Sequence, residues 1–167
     1  MKAVLLPIRP KWIKLIERGE KTIEVRRSCP MQLTEPFKVF IYCTKGKDRL
    51  ISVMHDGEMN YGTVYHGKPV FITISEDAAS RPKQSVIGEF ICSEIQEHYM
   101  NQAGIEYLVE HGRMTEMDVL KYAGNRMRLY SWKISDLKWY AHPKTLEDFG
   151  LTRAPQSWQY VEVPDDL

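Results

Sequence analysis

The sequence predicts an α+β fold, a small β-barrel of about six strands closed and flanked by short helices. Three observations lead there. Six short segments are apolar or alternate apolar with polar residues, and Gly and Pro turn signals separate them. Three or four other short segments carry helix start and stop signals. The 167 residues, 43% apolar and 27% charged, suit one globular domain. A chain of about 150 residues hides roughly 70% of its unfolded surface, so a real core is within reach.

The elements follow in order. Residues 2–8 read as a strand, with Ala3-Val4-Leu5-Leu6 as its apolar run. Pro10 suits the first turn of a helix, where its missing N–H costs nothing. In residues 11–18, Trp12, Ile13, Leu15 and Ile16 form one side, and Lys11, Lys14, Glu17 and Arg18 lie largely opposite. Gly19 fits the C-terminal cap. Residues 23–27 and 37–44 read as strands, separated by a break at Cys29-Pro30 and a loop to Pro36.

Residues 45–83 read as an insertion holding a hairpin or short strands. Asp56-Gly57, Tyr61-Gly62 and His66-Gly67 are its turn signals, and an apolar stretch runs to Ile74. This insertion is expected to wall a cleft, with Tyr61, Tyr65 and His66 either touching a ligand or pinning the insertion down. Residues 85–95 form the next strand, with Gly88 at a bulge or crossing point. A short helix fits residues 105–110. Thr115 and Asp118 resemble a capping box for a helix ending before Gly124. Residues 129–140 are an aromatic-rich strand, residues 145–149 a short helix ended by Gly150, and residues 158–163 a last strand.

Composition narrows the function classes. No apolar run approaches the roughly 20 residues that span a bilayer, and the first residues are too short an apolar stretch for a secretory signal. Cys29, Cys43 and Cys92 are odd in number and widely spaced, so a reducing cytoplasm is the expected compartment. No two of His55, His66, His98, His111 and His142 fall three to five apart, and no Cys-x-x-Cys occurs, so no metal site is expected. A Gly-rich phosphate loop and a serine-nucleophile elbow are also missing, and no cofactor is expected.

The net charge of +1 hides an asymmetry. Residues 1–49 hold 12 Lys and Arg against 5 Asp and Glu, a balance of +7, whereas residues 50–167 hold 11 against 17, a balance of −6. A basic half of this kind is either an electrostatic footprint for phosphates or one end of a dipolar surface.

That basic half holds the densest chemistry in the chain, Gly19-Glu20-Lys21-Thr22-Ile23-Glu24-Val25-Arg26-Arg27. A strand alternates its side chains, so Thr22, Glu24 and Arg26 share one face and Ile23 and Val25 the other. Lys21 stands at the turn that feeds the strand. The segment is a candidate ligand site, and the plain alternative is a half-exposed strand with solvated charges. Tyr42, set among Lys38, Lys45 and Lys47, offers the ring and charges of a single-strand nucleic-acid groove. Ser157 and Trp158 complete the candidates: Trp158 either stacks a base beside the motif or closes the core.

The pattern Gly19-x-Lys21-x-x-Glu24-x-Arg26 resembles the signature of the ASCH domain, within the PUA-like group. Residues from Pro10-Lys11-Trp12 to Gly19 resemble the family's leading helix. Lys38-Val39-Phe40-Ile41-Tyr42-Cys43-Thr44 and Val86-Ile87-Gly88-Glu89-Phe90 resemble its next strands. Ala154-Pro155-Gln156-Ser157-Trp158-Gln159-Tyr160-Val161 resembles the ending of bacterial and phage members. The likeness is weakest over residues 45–83. It implies a single PUA-like barrel domain over residues 1–167, with Lys21, Glu24 and Arg26 lining a pocket between barrel and leading helix. It also implies RNA or a modified nucleoside as partner; with the residue readings above added, the candidate ligand residues are Lys21, Thr22, Glu24, Arg26, Tyr42, Lys45, Ser157 and Trp158.

A second implication is hydrolysis, with Lys21 and Glu24 catalytic. One bacterial group in the family is similar to an amidohydrolase of N4-acetylated cytidine, which uses the motif lysine, a threonine and a distant glutamate. Lys21 matches the lysine, but Glu24 stands in the threonine's place, and His111-Gly112-Arg113 stands where the distant acid belongs, with Glu110 only nearby. Other members are similar to ribonucleases, and Lys21 and Glu24 can share acid–base work on a phosphodiester. A third, non-enzymatic alternative is an adaptor in a regulatory complex.

Overall fold

The computed structural model describes residues 1–45, 48–53, 70–75 and 84–163. β1 (Lys2–Ile8) is buried along all but its first residue. It runs parallel to β3 (Phe37–Cys43) on one side and antiparallel to β8 (Gln159–Glu162) on the other. A strand covered on both faces needs an unbroken apolar run, and the run beginning at Ala3 supplies it.

Between β1 and β3 come α1 (Pro10–Glu17) and β2 (Ile23–Arg26). Pro10 opens α1, and Ile13 and Ile16 are buried beneath it. Gly19 follows the Arg18 cap at φ +74°, a conformation glycine takes without Cβ strain. That turn aims the chain into Lys21 and β2.

The main sheet has six strands in the order β2-β7-β6-β3-β1-β8. Its centre is the antiparallel pair of β6 (Val86–Tyr99) and β7 (Arg128–Lys144). Both strands run longer than the sequence suggested, because their ends keep pairing in the ladder, residues 96–99 of β6 with residues 128–131 of β7 and Val86 with Lys144, although the added residues enter no core. Gly88 sits at register shifts between these strands, as expected of a crossing point. A Cβ there would lie 2.6 Å from the Lys138 carbonyl oxygen and from the Trp139 ring.

α2 (Gln102–Gly112) and α3 (Glu116–Ala123) connect β6 to β7. Asn101 caps α2, which is therefore longer than the 105–110 expected. Thr115 and Asp118 form the full capping box of α3. Glu147–Phe149 is a single 3-10 turn ended by Gly150 at φ +70°. β4 (Asp48–Val53) and β5 (Val70–Ser75) make a separate antiparallel two-stranded sheet near α1, within the expected insertion. Tyr61, Tyr65 and His66 lie outside the described residues.

The expected closed barrel is corrected. Among the described residues the ladder is open, with β2 and β8 as its edges. These edge strands are four residues each, and side chains rather than backbone pairs bridge them. Trp158, just before β8, donates from Nε1 to Ser28 Oγ, just after β2, at 3.0 Å. Arg26 of β2 donates to the Pro7 carbonyl of β1 at 2.6 Å.

Three cores result. The first lies between α1 and one face of the sheet, around Leu6, Ile41, Phe90 and Trp132. The second holds Leu5, Phe40, Tyr42 and Phe149, on the alternate residues of β1 and β3. In the third, α2 and α3 cover Ile23, Val25 and Leu129. No helix of the described residues is long and apolar enough to cross a membrane.

Candidate functional site

The alternation of β2 holds. Ile23 and Val25 enter the core under α2 and α3. Glu24 and Arg26 therefore take the other face, where Trp132 of β7 stands opposite Glu24 and Tyr130 opposite Arg26. That face borders the core beneath α1. Trp12 of α1 lies over Lys21, with Nζ 5.1 Å from the ring centroid.

The three motif charges are buried, with Lys21 3%, Glu24 5% and Arg26 9% exposed. This differs from the open basic groove the sequence suggested. Lys21 Nζ donates to the Gly112 carbonyl at 2.9 Å and lies 3.5 Å from Glu24 Oε2. Arg26 Nη2 donates to Glu24 Oε1 at 3.0 Å. One carboxylate thus serves two cations, and the cluster carries a formal +1. Burial lowers the Lys21 pKa from its ordinary value; the Glu24 carboxylate opposes that shift, and Arg26 adds to it.

The cluster is incompletely satisfied. Glu24 Oε2 and Arg26 Nε are buried with no hydrogen-bond partner, and so is Trp132 Nε1. A buried acceptor without a partner costs about 1–3 kcal/mol, and more when charged. Three such atoms on cross-strand neighbours of one sheet face need an explanation.

The other predicted residues divide. Thr22 is exposed, and its backbone is pinned at both ends, N–H to the His111 carbonyl and carbonyl to the Ile134 N–H, each at 3.0 Å. Trp158 is brought towards the motif, 5.9 Å from the Trp132 ring and bonded to Ser28. Ser157 is exposed just before it. Lys45 is exposed beyond the end of β3. Tyr42 is buried in the second core, on the opposite face of the sheet from the first, with its hydroxyl 3.4 Å from Gln84 Oε1. Its neighbour Lys38 shares that side and pairs with Glu89 at 3.1 Å. The basic segment around Tyr42 therefore does not join the motif cluster.

Four of the twelve cations of residues 1–49 are spread over different contacts, and Lys47 lies outside the described residues. Lys21 and Arg26 are spent on Glu24, Lys38 on Glu89, and Arg27 lies against Tyr122. Among the described residues no group of three His, Cys, Asp or Glu side chains is placed to hold a metal.

Sequence reasoning missed two features. Gly112, at the end of α2, supplies the carbonyl that holds Lys21, and a Cβ there would lie 3.8 Å from Nζ. Ser131 Oγ and His98 Nε2 lie 2.8 Å apart, with His98 stacked on Tyr107. Their distance in sequence hid both.

No family model and no curated protein matches the chain. Solved structures do. The ASCH protein of Zymomonas mobilis matches with a TM-score of 0.64 at 18% identity, covering 96% of this chain and 87% of that one. Two single-substitution variants of the same protein match with TM-scores of 0.61 and 0.60, at 18% and 17% identity. They cover 97% and 96% of this chain, and 91% and 88% of theirs. The chain has the fold of these ASCH proteins.

Proposed function

We propose that this ASCH-type fold is an RNA-binding domain that reads one nucleobase, free or modified, at Lys21, Glu24 and Arg26. The buried Glu24 Oε2 carries the reading: it faces the Lys21 ammonium at 3.5 Å and makes no hydrogen bond of its own. A carboxylate oxygen with that capacity to spare accepts from a ligand N–H, as carboxylates accept from the exocyclic amine of cytosine. The unpartnered Arg26 Nε and Trp132 Nε1 are donors for a base carbonyl or ring nitrogen. Trp12 and Trp158 border the cluster, and a base is a flat partner for such rings. The burial of all three charges speaks for a base or nucleoside, since phosphates stay hydrated and prefer open ground. The unpaired cysteines fit action in a reducing cytoplasm.

The test is calorimetric titration of the four ribonucleosides and short single-stranded RNA into wild type and Lys21→Met. Binding of one base class by wild type, weakened at least tenfold in Lys21→Met with folding intact, supports the reading. Equal binding by both proteins overturns it.

Hydrolysis is the second reading, and the depressed Lys21 pKa favours it. An amine whose pKa is lowered gives up its proton more readily than an ordinary lysine, as a general base must, and Glu24 is within reach to relay that proton. The second contact of Lys21 is the Gly112 carbonyl rather than a distant carboxylate, unlike the acetylcytidine hydrolases that the motif resembles. Turnover of an RNA or acylated nucleoside by wild type and not by Lys21→Met would move the assignment to this class.

A further inference from the structure

The face of the sheet that carries the motif does not end at Arg26. Cross-strand rows follow one another along it. Glu24, Trp132 and Ile95 form one row, and Arg26, Tyr130 and Glu97 the next. Arg128 and Tyr99, directly paired, form a third. Residues two apart on a strand are about 7 Å apart, so the third row lies about 13 Å from the first.

The third row opens into a cleft of about 550 Å³ lined by Arg27, Tyr99, Arg126, Met127, Arg128 and Tyr130. Unlike the motif cluster, this ground is exposed: Tyr99 is 56% and Met127 78% exposed. Three guanidiniums line the cleft, and one of them, Arg128, is paired with the Glu97 carboxylate.

Each arginine has donors to spare. Arg128 pairs with Glu97 at 2.9 Å, but the pair is open to solvent, where such bonds are weak and exchange readily. Arg27 uses Nε on the Tyr122 carbonyl and keeps its other N–H groups. Arg126 makes no side-chain hydrogen bond or ion pair among the described residues. The arginines carry five donors each in a fork that matches phosphate oxygens. Tyr99 and Tyr130 supply rings among them.

We infer that this cleft is a second site, binding the phosphates and stacked bases of single-stranded RNA that flank the base held at the motif. Guanidiniums interleaved with exposed aromatic rings are what an unpaired strand requires, since charge follows the backbone and every base has a face to stack. An acidic peptide would use the arginines and leave the rings idle. The span of about 13 Å takes roughly three to four nucleotides at the stacked spacing of about 3.4 Å. The inference rests on the proposed function for its ligand, RNA, and for the motif base from which the span is counted; the arginine cleft itself stands on its own lining.

The test is fluorescence anisotropy with a labelled single-stranded RNA of about ten nucleotides, at several salt concentrations. The proteins are wild type, Arg126→Ala/Arg128→Ala, Tyr99→Ala and Lys21→Met. The arginines and Tyr99 are exposed, so their variants keep the wild-type melting temperature. The double arginine variant should lose at least tenfold in affinity, and its salt slope should fall by about 1.4, the value for two phosphate contacts on a single strand. Tyr99→Ala should lose affinity with an unchanged slope. Mononucleoside binding should be untouched in both.

Unchanged RNA affinity in the double variant, or no RNA binding by wild type at low salt, overturns the second site. So does a polyglutamate peptide that competes as well as RNA does. If Lys21→Met keeps full RNA affinity while the arginine variant loses it, the cleft stands and the motif reading falls.

Discussion

Glu24 and Trp132 stand directly opposite each other in the β2–β7 ladder, and each leaves one buried polar atom without a hydrogen bond, an acceptor at Oε2 and a donor at Nε1. The two are not each other's answer, although they are cross-strand neighbours. Under the proposed function a base edge answers both, since it presents a donor and an acceptor side by side.

Trp132→Phe separates that role from packing. Trp132 is fully buried and meets Phe37 edge-on, with centroids 5.8 Å apart. Its Nε1 has no partner, so the substitution breaks no hydrogen bond in the free protein. The stability cost should be that of the smaller ring alone, about 1–2 kcal/mol, measured by urea unfolding. Ligand affinity should fall about tenfold, a loss near 1.4 kcal/mol. A variant that binds ligand as wild type does would remove Nε1 from the site.

Lys21→Met and Glu24→Gln should have opposite effects on stability. Removing Lys21 leaves a neutral Glu24–Arg26 pair, whereas removing the Glu24 charge leaves two buried cations with no anion. The depressed Lys21 pKa shows that its burial as an ammonium is only partly compensated. Lys21→Met should therefore change stability by less than about 1 kcal/mol or raise it, and Glu24→Gln should cost about 3–5 kcal/mol. Chemical denaturation of both variants decides the matter. A loss of several kcal/mol in Lys21→Met would mean that the lysine holds the fold together.

How much of this was legible in the sequence depends on how local each cause is. The period-two alternation of β2, the Gly19 turn and the Thr115–Asp118 capping box are set by residues within a few positions, and all three are found. The burial of Glu24 and Arg26 was not legible, because the Pro7 carbonyl that bonds Arg26 and the residues opposite them in the ladder, Trp132 and Tyr130, come from distant parts of the chain. Tyr42 misled for a related reason. Its basic neighbours are close in sequence, but Lys38, Phe40 and Tyr42 share a strand face that turns to the second core. The Arg27–Arg126–Arg128 cleft joins the end of β2 to the start of β7, a juxtaposition only the ladder reveals.

Gly88→Ala should be among the most damaging single-methyl additions. The new Cβ would lie 2.6 Å from the Lys138 carbonyl oxygen, which is backbone and cannot swing away. The strain falls where β3, β6 and β7 meet, between two register shifts. Overpacking of this kind costs about 1–3 kcal/mol or more. A thermal scan should show a lowered melting temperature, and an unchanged value would mean that the bulge reforms around alanine.

Acid should loosen α2 through His98. The His98 ring lies between Ser131 Oγ, 2.8 Å from Nε2, and the face of Tyr107, whose ring also meets His111 at 4.3 Å. Burial lowers the His98 pKa from its ordinary 6.5, and His111 pushes the same way; Glu110 lies 4.0 Å from His111 and offers that ring its only nearby countercharge among the described residues. The folded state therefore prefers neutral His98. Above pH 6.5 neither state holds the proton and no penalty applies. Below that value the unfolded chain takes the proton first, so stability falls with falling pH until the folded-state pKa is passed. His98→Gln keeps a hydrogen-bonding partner for Ser131 and cannot titrate. Melting temperatures at about pH 8 and about pH 5 should converge for wild type and variant at the acid end, with wild type ahead at the alkaline end. A gap that stays constant with pH would show that His98 acts by packing alone.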